Sequence, residues 1–267
     1  MINMSYKKPL FRQQKEPREL FQGLGRSNEM LRQKARTPLG KAALDVVAMT
    51  EVNRIRKNNH GYDTDESRQF RLIAALPNYV RAQRTLDKNR DNMSRADRVE
   101  TLQPVIEYNH ILREMIDTEQ YHSMSDVVDF IQGTLLYLRA TPDIIQYTAN
   151  NTRSILNGMR HEIAAESVLS SLPEINSVES AEAEDETKGK DIIIEYDGHN
   201  VAFDVKASEN GARKAMANRR YHDDPIPIWS GFSNQEFGDK LILSTSQLQA
   251  KASYYRNLLD QIRRQAA

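Results

Sequence analysis

Along the first 150 residues the apolar positions recur mostly at intervals of three and four, the spacing of one helix face, and beyond them short alternating runs appear. The spacing predicts helices over 28–35, 39–56, 66–76, 82–89, 95–116 and 125–138. Pro38 precedes the second, Asn58-Asn59-His60-Gly61 reads as a turn, and Pro77 closes the stretch 66–76. Thr141-Pro142-Asp143 is a helix-start signal, with Thr141 as cap and Pro142 at the first helical position. Before all of these, residues 1–25 form an irregular basic arm broken by Pro9, Pro17 and the Gly23/Gly25 pair.

After residue 150 the pattern predicts a helix over 152–172, an acidic connector over 179–186, and two β-rich runs, 191–196 and 201–207. Asp197-Gly198 between the runs is a two-residue hairpin signal. A helix over 209–220, a Pro-flanked strand over 226–229, an apolar run over 241–243 and a closing helix over 246–264 follow. The expected architecture is an α/β C-terminal domain, a mixed β-sheet flanked by helices, behind a mostly α-helical N-terminal domain. Its parts are the irregular arm 1–25, a helical domain 26–150, and an α/β domain 151–267.

At 267 residues the chain can bury a substantial core. Cysteine is absent, which excludes disulfides and thiolate-zinc sites. No apolar run approaches the length that spans a bilayer, and the first residues lack the apolar stretch of a secretory signal, so a cytoplasmic protein with no membrane partner is expected. The formal net charge is zero, but it is unevenly spread. Residues 1–60 hold 13 Lys/Arg against 5 Asp/Glu, and residues 151–208 hold 5 against 12. An acidic centre can collect a divalent cation while basic flanks hold phosphates; solvated helix faces are the alternative source of such segregation.

Alternation places Ile192, Ile194 and Tyr196 on one strand face and Asp191, Ile193 and Glu195 on the other. On the second run Val201, Phe203, Val205 and Ala207 share a face, and Ala202, Asp204 and Lys206 share the opposite one. With Asp197-Gly198 as the central turn residues, Ile194 faces Val201, Ile192 faces Phe203, and Asp191 lies opposite Asp204. A four-residue loop would instead pair Asp191 with Lys206, with all three charges still on one face. Two carboxylates across a ladder repel by up to about 1 kcal/mol, a cost that a divalent cation reverses by taking both as ligands. On the preceding helix Ile155, Met159, Ala165 and Leu169 lie in an apolar sector, with Glu162 and Glu166 near its middle. A carboxylate there must be paired, protonated or metal-bound, unless the helix turns it to water.

Taken together, Gly158-x-x-x-Glu162, Gly189-Lys190-Asp191 and Phe203-Asp204-Val205-Lys206-Ala207 resemble the acidic helix and the Asp…(Asp/Glu)-x-Lys hairpin of the PD-(D/E)xK, restriction-endonuclease-like nuclease superfamily. About 50 residues carry the resemblance, and the downstream helix and strand are compatible with the same core. Asp204 stands where Glu is more frequent, a choice the pattern allows. The resemblance implies phosphodiester hydrolysis by a metal-activated water, with Asp191 and Asp204 holding Mg²⁺ or Mn²⁺ and the Val205 carbonyl as a further ligand. It also implies that Lys206 orients the water or balances transition-state charge, and that Glu162 completes the metal shell, with Glu166 as the alternative.

Other chemistries fail on spacing. His161-Glu162 begins like a zinc-protease helix, but Ala165 stands where the second His is needed. The six histidines show no ligand spacing, and His161 is expected to be exposed. No nucleotide-binding glycine loop is complete, Ser230 before Gly231 reads as a loop serine, and Trp229 as core packing. Arg213, Lys214, Arg219 and Arg220, with Lys7, Lys8 and Arg12 of the arm, are the candidates for phosphate contact. The expected function is a metal-dependent nuclease, a DNA endonuclease in the first instance, with DNA as partner and a homodimer or protein partner as a second role for the helical domain. The rival readings are a binding module that keeps the fold without catalysis, and a helical assembly protein with a purely structural hairpin.

Overall fold

The computed structural model describes residues 38–180, 189–219, 221 and 224–266. The basic arm with Lys7, Lys8 and Arg12, the expected helix over 28–35, and Arg220 lie outside the described residues. The described chain is mostly helical with a small four-stranded mixed sheet in its C-terminal part, broadly an α/β arrangement. Among the described residues no helix is long and apolar enough to cross a membrane.

Helices α1 (Pro38–Asn58), α2 (Asp65–Asn89), α3 (Arg95–Asp117) and α4 (Met124–Tyr137) precede α5 (Pro142–Ser170). Ser94 and Ser123 cap α3 and α4 by accepting from the N–H groups of Asp97 and Asp126. The predicted break at Pro77 does not occur, because α2 runs through it. Proline inside a helix costs about 3 kcal/mol. Beyond Pro77, however, Tyr79, Ala82 and Leu86 are buried, and one large buried side chain contributes about 1.5–3 kcal/mol. Continuing the helix therefore wins. Tyr79 also stacks on Tyr108 of α3, with ring centroids 3.9 Å apart.

Helix α5 is likewise longer than its predicted segment, and the break expected between residues 150 and 151 falls inside it. The part of it up to Ile163 (Ala149, Leu156, Met159, Ile163) packs into the core of α1–α4. The C-terminal part (Ala164, Ala165, Val168, Leu169) packs on the sheet. Leu241, from the C-terminal segment, inserts into the helical core and is fully buried. The stretch around it is not a strand; it holds one bridge, Ser123 to Lys240.

The sheet runs β1 (Ile175–Ser180), β2 (Ile192–Tyr196), β3 (His199–Lys206), β4 (Ile226–Trp229), in that spatial order. The first two pairings are antiparallel, and β3 pairs parallel with β4 through a crossover containing α6 (Glu209–Asn218). The hairpin has the predicted register, Ile192 opposite Phe203 and Ile194 opposite Val201. Both turn residues, Asp197 (φ 52°) and Gly198 (φ 75°), take the left-handed conformation a two-residue hairpin turn requires. Strand β1 was not predicted. A register shift between Ile175 and Ser177 breaks its alternation, so Ile175 and Val178 sit three apart, and it continues into the expected acidic connector at Glu179. Short helices α7 (Asn234–Phe237) and α8 (Thr245–Gln249) precede α9 (Ala252–Ala266), which divides the predicted closing helix in two.

Candidate active site

Asp191 stands one residue before β2. Its N–H donates to the Phe203 carbonyl at 2.8 Å, and its carboxylate accepts from the Val205 N–H at 2.6 Å. The carboxylate thus extends the ladder where the backbone leaves it. On β3, Asp204 and Lys206, two apart and on one face, form a side-chain ion pair, Nζ donating to Oδ1. Opposite charge beside Asp204 is therefore supplied from its own strand.

Glu162 and Asp191 line one cleft of about 520 Å³ between α3 and α5. Gly158 lies one helical turn before Glu162, and a β-carbon there would sit 3.7 Å from the Glu162 carboxylate. Burial pushes the Asp191 carboxyl up to about 8, with Glu162 and Asp204 acting in the same direction and the Val205 N–H and Lys206 opposing. Two acids and one amine, from α5 and β3, are close enough to perturb the Asp191 carboxyl.

The alternative acid, Glu166, is engaged by two side chains of the cleft wall. Arg113 of α3 donates to it at 2.6 Å and Ser180 of β1 at 3.0 Å. The two glutamates, one turn apart on α5, differ in role: Glu166 ties α5 to α3, and Glu162 faces the cleft. Asn109, His110 and Arg113 of α3 form the opposite wall. Sequence periodicity carries no signal for this wall, since nothing local shows which part of α3 crosses α5.

His161 is not exposed. It is fully buried, with Nδ1 2.6 Å from the Ser230 hydroxyl and Nε2 2.9 Å from the Asn234 side-chain oxygen. The Asn234 oxygen also accepts from Arg160 at 3.0 Å, so it acts as an acceptor and the histidine donates from Nε2. Burial lowers the His161 pKa, and Arg160 adds to this against the bond to Asn234. Spacing could have revealed the burial, because His161, Ala165, Val168 and Leu172 form one buried stripe. Ser230, read from sequence as a loop serine, is also fully buried. Trp229 is half-buried, its ring edge-on to Tyr254 and its indole N–H donating to the Phe232 carbonyl.

Arg213 and Lys214 are exposed on α6, whose cap Ser208 follows Lys206 by two residues. Arg219 closes that helix and donates twice to the Asp224 carbonyl, which anchors the following loop. Among the described residues no group of three or more His, Cys, Asp or Glu side chains is gathered as a ready cation cage. Comparison of the chain with protein-family models, with curated proteins and with solved structures gave no match.

Proposed function

We propose that the chain is a divalent-metal-dependent nuclease with a restriction-endonuclease-like C-terminal core, acting on DNA as an endonuclease. The observation that carries this reading is the joint placement of Glu162 and Asp191 on one cleft, with the Asp204–Lys206 pair on the adjoining strand. The order of acidic helix, hairpin, helix and parallel strand further supports it, being the order that the sequence resemblance implies.

The donor set suits a hard cation. Its side-chain ligands are all carboxylates, and Asp191 is raised first by burial and then by Glu162 and Asp204, where a cation would lower it. Mg²⁺ takes one or two carboxylates and completes its shell with water and substrate oxygens, so Asp191 and Asp204 suffice without a preformed cage. Neighbouring strand carbonyls alternate in direction, and the Val205 N–H points at Asp191. The Val205 carbonyl therefore faces the β2 side and would complete the protein ligands, with Glu162 joining them. When bound, the ion supplies Lewis-acid polarisation of the phosphate and a water of lowered pKa. Lys206 holds the attacking water or balances charge growing on the phosphoryl oxygens. Arg213 and Lys214 hold flanking phosphates.

The test is incubation with plasmid, linear duplex, single-stranded and branched DNA, and with RNA, in Mg²⁺, Mn²⁺ or chelator. Cleavage that requires the ion and disappears in Asp204→Ala is expected. Full activity in Asp204→Ala, or no ion-dependent cleavage of any substrate, rejects the reading.

A further inference from the structure

Ser230 uses every polar group it has. Its N–H donates to the Lys206 carbonyl at 3.1 Å, its carbonyl accepts from the Tyr255 hydroxyl at 2.8 Å, and its hydroxyl meets Nδ1 of His161 at 2.6 Å. His161 precedes Glu162 on α5, and Lys206 ends β3. One buried serine therefore joins the chain neighbour of the cleft glutamate to the backbone of the candidate catalytic lysine. The other histidine nitrogen is held by Asn234, the first residue of α7, which also takes Arg160 from the same helix. Phe237 closes the group, edge-on to the His161 ring at 4.8 Å and under the Arg160 guanidinium at 4.7 Å.

Successive helix residues project about 100° apart, so fixing the direction of His161 fixes that of Glu162. Beside Glu162 the helix packs on the sheet through the small Ala164 and Ala165, with the larger Val168 and Leu169 a turn or more further on, so apolar packing leaves some rotational freedom at Glu162. Two directional hydrogen bonds on one ring remove that freedom. Because the same serine is bonded to Lys206, rotation of α5 and displacement of the β3 end are coupled through one residue.

We propose that Ser230 and His161 are positioning residues, a buried latch that sets the placement of Glu162 on α5 relative to Lys206 on β3. The proposal rests on the nuclease reading above and deepens it. Outer residues that orient ligands in metal sites typically contribute about 10- to 100-fold in activity or metal affinity, and a latch of this kind belongs in that range.

The test compares Ser230→Ala, His161→Ala, Ser230→Thr and His161→Gln with the wild type, full-length, with Mn²⁺ as the ion and the best-cleaved DNA as substrate. Tyr108→Phe is the control, because it removes a buried bond to Thr152 on the same helix, ten residues from Glu162. Rates are expressed per folded molecule from circular dichroism. The alanine variants should lose about 10- to 100-fold in kcat, with KM little changed and more Mn²⁺ needed for half-maximal rate. Ser230→Thr or His161→Gln should recover part of the loss, since each keeps a polar group in the latch. Tyr108→Phe should lower the melting temperature without that loss. Alanine variants that melt earlier but keep wild-type kcat per folded molecule overturn the latch while leaving the nuclease reading intact. A wild type that cleaves nothing overturns both.

Discussion

The Asp191 carboxylate accepts a 2.6 Å hydrogen bond from the Val205 N–H, so the residue that ends the β2 side of the hairpin is bound to the strand carrying Asp204 and Lys206. This bond offsets only part of what opposes its charge. Burial, Glu162 and Asp204 together hold the carboxyl near 8.

The first prediction follows from that value. Folded Asp191 keeps a proton that the unfolded chain, with an ordinary carboxyl near 3.8, has already lost. Between these values the native state binds more protons, and ion-free stability falls as pH rises from about 4 to about 8. Chelator-treated wild type should therefore melt progressively lower across this window, whereas Asp191→Asn should be flatter and more stable at pH 8. Saturating Mn²⁺, at a hundredfold excess over its dissociation constant, should add about 2.7 kcal/mol to the wild type and much less to Asp191→Asn. Parallel melting curves for the two proteins would remove Asp191 as a ligand.

Glu162 and Glu166 should separate cleanly. Glu162→Gln should abolish cleavage with a small change in melting temperature. Glu166→Gln should retain activity and lose about 2 kcal/mol of stability, because it weakens the tie from Arg113 and Ser180. Urea unfolding alongside a cleavage assay distinguishes them, and equal losses of activity would undo the assignment.

Arg56 and Arg71 both reach Asp63, and Arg56 with Ser67 holds its carboxyl down to about 2 against the cost of burial. Its folded value lies below its unfolded one, so its contribution is present above pH 4 and lost as pH falls through about 2. Asp63→Asn should be less stable than wild type at pH 7, and the difference should shrink toward pH 2. A difference independent of pH would mean that the ion pairs contribute nothing.

The basic excess in residues 1–60 should be felt on nucleic acid. Removing residues 1–25 should weaken binding and flatten its dependence on salt, since fewer counterions are released from phosphates. Titrations at several salt concentrations measure the slope, and an unchanged slope assigns the arm to a protein partner.

Because α5 runs through both cores and Leu241 inserts into the helical one, the described parts should unfold together. Calorimetry should give one transition, and Leu241→Ala should lower it by about 2–5 kcal/mol without splitting it. Two resolved transitions would show that the cores are independent.

The hairpin was readable from residues alone. A side-chain period of two puts Ile192, Ile194, Phe203 and Val205 on one face in both registers the turn allows, so Asp191, Asp204 and Lys206 were identifiable as a group, and the structure takes the register with Asp197-Gly198 as the turn. Helices α1, α3 and α4 were also legible, because their ends carry local signals. Local preference failed where distant packing outweighed it: through Pro77, across residue 150, and in β1, whose bulge erased the alternation. Tertiary structure alone brought α3 to the cleft, engaged Glu166 with Arg113, and closed Ser230 over His161. Those partners lie 53 and 69 positions apart in the chain. A hydrogen bond at that separation has no trace in local periodicity, and it exists only once the cores on either side of α5 have chosen which face of the helix each will cover.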